Sequence, residues 1–262
     1  KDGLLPIRLA VNGEYSDEVI VALFPGSDDD SFPHFSAELE AKLMSVVAAN
    51  GSKNLFSTKN RSGSLLLHVV ISHGYSLELI QPVVLGYKNA LGEANLKGFL
   101  PLHVAVDSNR GDDIICYLLG ENERATAIAT NSGELPIHIA IRKSANAELI
   151  NGLLDSFEGG ARIKDRSGDL PIHIAIKNKF GAGIVSRLLK LYPECLVEPG
   201  AKGLVPLVLV IQLNASDDVV LVILESYPTL KRVTNYTALQ QEVGKFRRLP
   251  LHNAILFGAS TL

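Results

Sequence analysis

A short tract recurs along this chain at a constant interval, and that period constrains the fold more than any other feature. The copies read Gly63-Ser-Leu-Leu-Leu-His68-Val-Val, Gly98-Phe-Leu-Pro-Leu-His103-Val-Ala, Gly133-Glu-Leu-Pro-Ile-His138-Ile-Ala, Gly168-Asp-Leu-Pro-Ile-His173-Ile-Ala and Gly203-Leu-Val-Pro-Leu-Val208-Leu-Val. Their glycines are 35 residues apart. Two outlying copies flank them, Gly3-Leu-Leu-Pro6-Ile-Arg8-Leu-Ala and Leu249-Pro250-Leu-His252-Asn-Ala. A unit this small cannot bury its own apolar face, so successive units must stack, and about three or more are needed.

A second column fixes the register independently. Sixteen residues after each glycine begins an apolar i, i+1, i+4, i+5 set: Leu79/Ile80/Val83/Val84, Ile114/Ile115/Leu118/Leu119, Leu149/Ile150/Leu153/Leu154, Ile184/Val185/Leu188/Leu189 and Val219/Val220/Ile223/Leu224. The first copy obeys it too, with Val19, Ile20, Leu23 and Phe24. That spacing is one face of a helix. Each unit therefore reads as a Gly-containing turn, a short helix opened by Pro, a turn and a second helix. Pro suits the first helical position because its missing N–H has no partner there in any case.

These residues resemble the ankyrin repeat, whose pattern is Thr-Pro-Leu-His-x-Ala in units of about 33 residues. The likeness runs from Gly3 to Ala254. It implies an all-α, helix-turn-helix repeat solenoid of six to seven repeats, each with a short hairpin loop. Residues 1–262 form a single repeat domain on this reading, with repeats starting near 3, 63, 98, 133, 168, 203 and 247.

Three departures stand out. Leu or Val replaces the family's Thr (Leu5, Leu65, Leu100, Leu135, Leu170, Val205, Leu249), removing a side-chain cap worth about 1 kcal/mol per helix. The period of 35 puts extra residues in a turn of every unit. Two insertions, about 26–55 and 229–246, interrupt the spacing, and the first holds a capped amphipathic helix over 36–49.

Other chemistry finds little support. One His per repeat suits hydrogen bonding to a neighbouring turn, because packed helices lie about 8–10 Å apart and a zinc–nitrogen bond is about 2 Å. No GxxxxGK[ST] loop or GxSxG elbow is present, and Gly181-Ala-Gly183 lacks a preceding strand and a third glycine. Neither cysteine, Cys116 or Cys195, belongs to a CxxC or has a neighbouring His. No enzyme activity, cofactor or metal is expected. Arg110-Gly111-Asp112 falls on the turn between two helices, and the Asn-x-Ser/Thr sequons at Asn50, Asn60, Asn214 and Asn235 read as chance.

The formal charge of -3 and pI near 6.2 argue against nucleic acid as a partner. The most apolar runs, Leu204–Leu213 and Val219–Leu224, are too short for membrane insertion. Few cysteines fit a reducing compartment, so an intracellular, cytoplasmic protein is expected. The chain starts at Lys1 rather than Met, and a natural chain or partner extending past both ends is expected.

By the resemblance, a protein partner lies on the concave face, held by the hairpin tips and first helices. The positions implied are the residue after each Gly and those nine and ten after it, with the tip residues before it. They give Phe99, Asp107, Glu134, Arg142, Lys143, Arg166, Asp169, Lys177, Leu204 and Leu213 as partner-binding residues. Basic residues in the middle repeats with Phe99, Leu204 and Leu213 beside them point to an acidic or amphipathic segment, with Arg142, Lys143 and Lys177 its main contacts. The chain is then a monomeric module or scaffold, or alternatively a subunit of a hetero-complex or the targeting arm of an enzyme.

Overall fold

The computed structural model describes residues 56–233. The copies near 3 and 247, the helix expected over 36–49 and most of the 229–246 connection lie outside the described residues. The chain divides into two compact units, with the boundary after Asn131.

Residues 56–131 hold α1 (Leu66–His73), α2 (Leu77–Gly86), α3 (Pro101–Asp107) and α4 (Asp112–Glu121). Residues 132–233 hold α5 (Pro136–Arg142), α6 (Ala147–Ser156), α7 (Pro171–Lys177), α8 (Ala182–Leu191), α9 (Pro206–Gln212) and α10 (Asp217–Val233). No strand is present among the described residues. A one-turn 310 helix follows each of the first four second helices, at Lys88–Gly92, Glu123–Ala127, Glu158–Arg162 and Pro193–Val197. The extra length of the period is accommodated in a connection that contains this turn.

The helix boundaries follow from the motif. Pro101, Pro136, Pro171 and Pro206 each occupy the first helical position. The Leu (Val205 in the last) before each has extended backbone, with φ near -77° and ψ near 163° at Leu135. Its side chain caps nothing. It is buried instead, with Leu65 and Leu170 at 0% exposure, so the position trades a cap for core volume.

The first helices end on a residue in the left-handed region, again 35 apart: Gly74, Asn109, Ser144, Lys179 and Asn214, with φ between 50° and 78°. That conformation carries a penalty of roughly 1–2 kcal/mol for a residue with a Cβ, least for Asn. Lys179 is exposed, and its N–H bond to the Ile176 carbonyl at 3.1 Å is one that glycine would keep. Lys179→Gly is therefore expected to raise stability by about 0.5–1 kcal/mol, read as a higher urea midpoint with unchanged slope. A lower midpoint would show that Lys179 contributes more than its backbone.

Both helical columns face inward. On α1, α3, α5 and α7 every residue from the second through the sixth is buried. Ala105, Ala140 and Ala175 are at 0% exposure, consistent with small residues that let a neighbouring helix approach. Within residues 56–131 α1 packs on α3, and within 132–233 α7 packs between α5 and α9, with α8 against α10. The second-helix sets Leu79/Ile80/Val83/Val84 and Ile184/Val185/Leu188/Leu189 are wholly buried.

Each hairpin loop is a tight turn, not a pair of strands. Gly98 N–H donates to the Asn95 carbonyl at 2.9 Å, and Asn95 N–H to Phe99 at 3.0 Å. Gly98 has φ +80°, and a Cβ there would lie 2.5 Å from the Asn131 backbone nitrogen. Successive tips are stitched together: Leu96 N–H donates to Ser62 and Asn131 N–H to Lys97, and in the second unit Arg166 N–H donates to Ser132 at 3.0 Å. The sequon residue Asn60 is bound into its own turn, its Oδ1 accepting from the N–H groups of Ser62 and Ser64. Arg110 of the Arg-Gly-Asp tripeptide donates from Nη2 to the Ser72 carbonyl at 2.9 Å.

Candidate binding face

The recurring histidines form a structural column. Nδ1 of His68, His103, His138 and His173 accepts the N–H of the Leu three residues earlier at 3.1–3.2 Å. This is the reciprocal half of a capping box, with His in the place of Glu or Gln. Because Nδ1 accepts, the ring proton sits on Nε2. His68 Nε2 then donates to Phe99 O (3.0 Å), His138 to Ile163 O (2.9 Å) and His173 to Glu198 O (3.1 Å). At His103 the Ile128 carbonyl is close enough to favour the protonated ring but not placed for a regular hydrogen bond. Burial drives His68 and His103 down to about 4 and lowers His138 and His173 as well. At His68, His138 and His173 both nitrogens are committed to backbone, and at His103 Nδ1 is. Among the described residues no cluster of three metal-ligating side chains exists.

Five of the ten predicted residues, Glu134, Arg142, Arg166, Asp169 and Lys177, line one open groove of about 530 Å³ within residues 132–233. In the repeats of Gly133 and Gly168 the position after the Gly and the one nine residues after the Gly pair with each other. Glu134 is ion-paired to Arg142, and Asp169 to Lys177. The acids lie beneath, at 8% and 7% exposure, while Arg142 is exposed and Lys177 half-buried above them. Burial works against the Asp169 carboxylate, yet the Lys177 ammonium and the Ala201 N–H (2.9 Å) together hold its pKa below the ordinary value. Asn178 donates from Nδ2 to the carbonyls of Ile141 (2.8 Å) and Arg142 (2.9 Å), capping α5 from the next repeat.

Lys143 is exposed at the end of α5, Leu213 is 38% exposed at the end of α9, and Leu204 is half-buried. Phe99 and Asp107 belong to residues 56–131. Phe99 is half-buried, its ring centroid 5.9 Å from that of His103. Asp107 is half-buried at the end of α3.

No protein-family model and no curated protein matches the chain. Among solved structures, the ankyrin repeat domain of Bcl-3, described as a unique member of the IkappaB protein family, is similar with a TM-score of 0.58. That likeness covers 74% of this chain and 81% of the other, at 20% identity. The fold is an ankyrin repeat fold. At this identity it is the arrangement of helix pairs and turns, not the individual surface residues, that the two share. The ankyrin frame also explains which positions are constant here. Gly in the turn, Leu and Pro at the helix start and His on its third position all serve the backbone, whereas the residue two before the Gly and those one and nine after it change from repeat to repeat, as Asn131 and Arg166, Phe99 and Glu134, and Asp107 and Arg142 show.

Proposed function

We propose that this chain is a protein–protein interaction module that presents the hairpin tips and first helices of residues 132–233 to a partner. One observation carries this reading: five of the expected contact residues line a single groove, while the Gly, Leu, Pro and His of each motif are consumed by the fold. The sequence holds no catalytic motif, and the buried Cys195 thiol is pushed up in pKa by burial, so it is a poor nucleophile. Among the described residues no helix is long and apolar enough to cross a membrane.

Reversing Arg142 or Lys177 would strand Glu134 or Asp169, so loss of binding there would not separate folding from recognition. Lys143 and Arg166 are exposed and serve better. The double variant Lys143→Glu/Arg166→Glu is expected to weaken a captured partner by about tenfold or more. Lys190→Glu, exposed near the end of α8, should leave it intact. Capture quantified for all three chains decides the matter. Equal retention by wild type and the double variant would place the interface elsewhere.

A further inference from the structure

We propose that the segment recognised by this groove is acidic, with its carboxylates bound by Arg142, Arg166 and Lys177; this rests on the interaction role proposed above. The groove is formally balanced, with Glu134, Asp165 and Asp169 set against those three cations. The charges are layered, however, not mixed. Glu134 lies under Arg142 and also accepts the Ser132 hydroxyl at 2.8 Å. Asp169 lies under Lys177, with its other oxygen on the Ala201 N–H at 2.9 Å. Asp165 turns its Oδ1 onto the Asp169 N–H at 3.0 Å, inside the hairpin turn. All three carboxylates are therefore engaged with donors of the fold.

The outward layer is cationic. Arg166 is exposed at a hairpin tip, and its guanidinium makes no hydrogen bond or ion pair among the described residues. Arg142 has five N–H donors in a planar fork, more than Glu134 can take. An approaching charge meets the nearer layer first, and Coulomb energy falls with distance, so an anion is attracted and a cation repelled although the sum is zero. The buried acids also hold the Arg142 and Lys177 side chains in place, which removes much of the ordering entropy that a free surface cation loses on binding. A peptide fits better than a nucleic acid, because a phosphate backbone needs a broad basic face and this chain carries a formal charge of -3.

The test uses the whole 262-residue chain. A fluorescent oligo-glutamate peptide, an oligo-lysine peptide and poly-uridine RNA are titrated in turn, and short random peptides are selected by display against the same protein. The expected result is binding of oligo-glutamate but not oligo-lysine, weakened by salt and reduced about tenfold in Arg166→Glu. Selected peptides should be rich in Asp and Glu, and Lys190→Glu should change nothing. Circular dichroism of the variants separates a lost site from a lost fold. Selected peptides that are not acidic, yet still depend on Arg166, would overturn the acidic class and leave the interaction face standing. Peptides that bind Arg166→Glu as well as wild type would overturn both readings. No oligo-glutamate binding to wild type, or tighter binding of the RNA, overturns the proposal.

Discussion

Acidification through the window from pH 6.5 down to about 4 is expected to unfold this protein more readily than protonation of its ion-paired carboxylates alone would. His68 and His103 fall to about 4 in the folded chain from an ordinary 6.5, and His138 and His173 fall too, because desolvation disfavours the imidazolium in each case. A lowered folded pKa means that the unfolded chain binds protons more tightly. Stability is then fully present above the unfolded value and drains away as pH drops through 6.5 toward 4. The full shift is worth about 3 kcal/mol each for His68 and His103, of which roughly 2 each is lost by about pH 5. Set against a typical total of roughly 5–15 kcal/mol, that is a large fraction. Protonation also puts an N–H where Nδ1 accepted the Leu N–H, so the helix start loses its partner. The check is a urea midpoint at pH 7 and pH 5 for wild type and His103→Gln. The variant keeps a side-chain acceptor in the capping-box position and loses one titrating group, so its midpoint should move less. Equal midpoints for wild type at the two pH values would refute the idea.

The fold could be read in the sequence because stacking forces the same residue onto the same job in every unit. Gly98, Pro101 and His103 each answer a local backbone requirement, and a requirement repeated every 35 residues leaves a visible column. The histidines were assignable for the same reason: one ring per repeat cannot share a metal, and each bonds to backbone within its reach. The surface was less legible. The pairing of Glu134 with Arg142 and Asp169 with Lys177 spans eight residues across the start of a helix, a separation no single-helix rule connects. Its one sequence trace is the repetition itself, since acid and base occupy the same two places in successive units. Glu134 and Asp169, expected as contact residues, are buried and ion-paired to the cations beside them. The left-handed column at Asn109, Ser144, Lys179 and Asn214 was equally hidden, because three different side chains, Asn, Ser and Lys, occupy one backbone state. Arg110 and Asn178 reach carbonyls of the preceding repeat, Ser72 and Ile141, and such contacts follow from stacking geometry rather than from any motif.

Lys177→Ala is expected to destabilise the protein by about 2–4 kcal/mol, while Arg166→Ala stays within roughly 0.5 kcal/mol of wild type. The difference lies in what each cation leaves behind. Without Lys177 the Asp169 carboxylate, at 7% exposure in the wild type, keeps the Ala201 N–H as its remaining donor. Burial then prevails over the remaining support, and the Asp169 pKa moves from below its ordinary value to above it. The sign of the linkage reverses with it. In wild type Asp169 contributes stability above the unfolded carboxylate pKa and loses it as pH falls; in Lys177→Ala the protonated acid is the easier one to bury. The gap between wild type and variant should therefore narrow on acidification through the carboxylate range. A second change separates a stranded charge from lost packing: Asp169→Asn/Lys177→Met removes both charges, keeps an oxygen for the Ala201 N–H and preserves the stem volume, so it should recover most of the loss. If the double variant is as unstable as Lys177→Ala, the methylene stem was the important part. If Arg166→Ala is equally destabilised, the outward cation layer belongs to the fold, and the division between cations that hold the groove and the one that meets a partner fails.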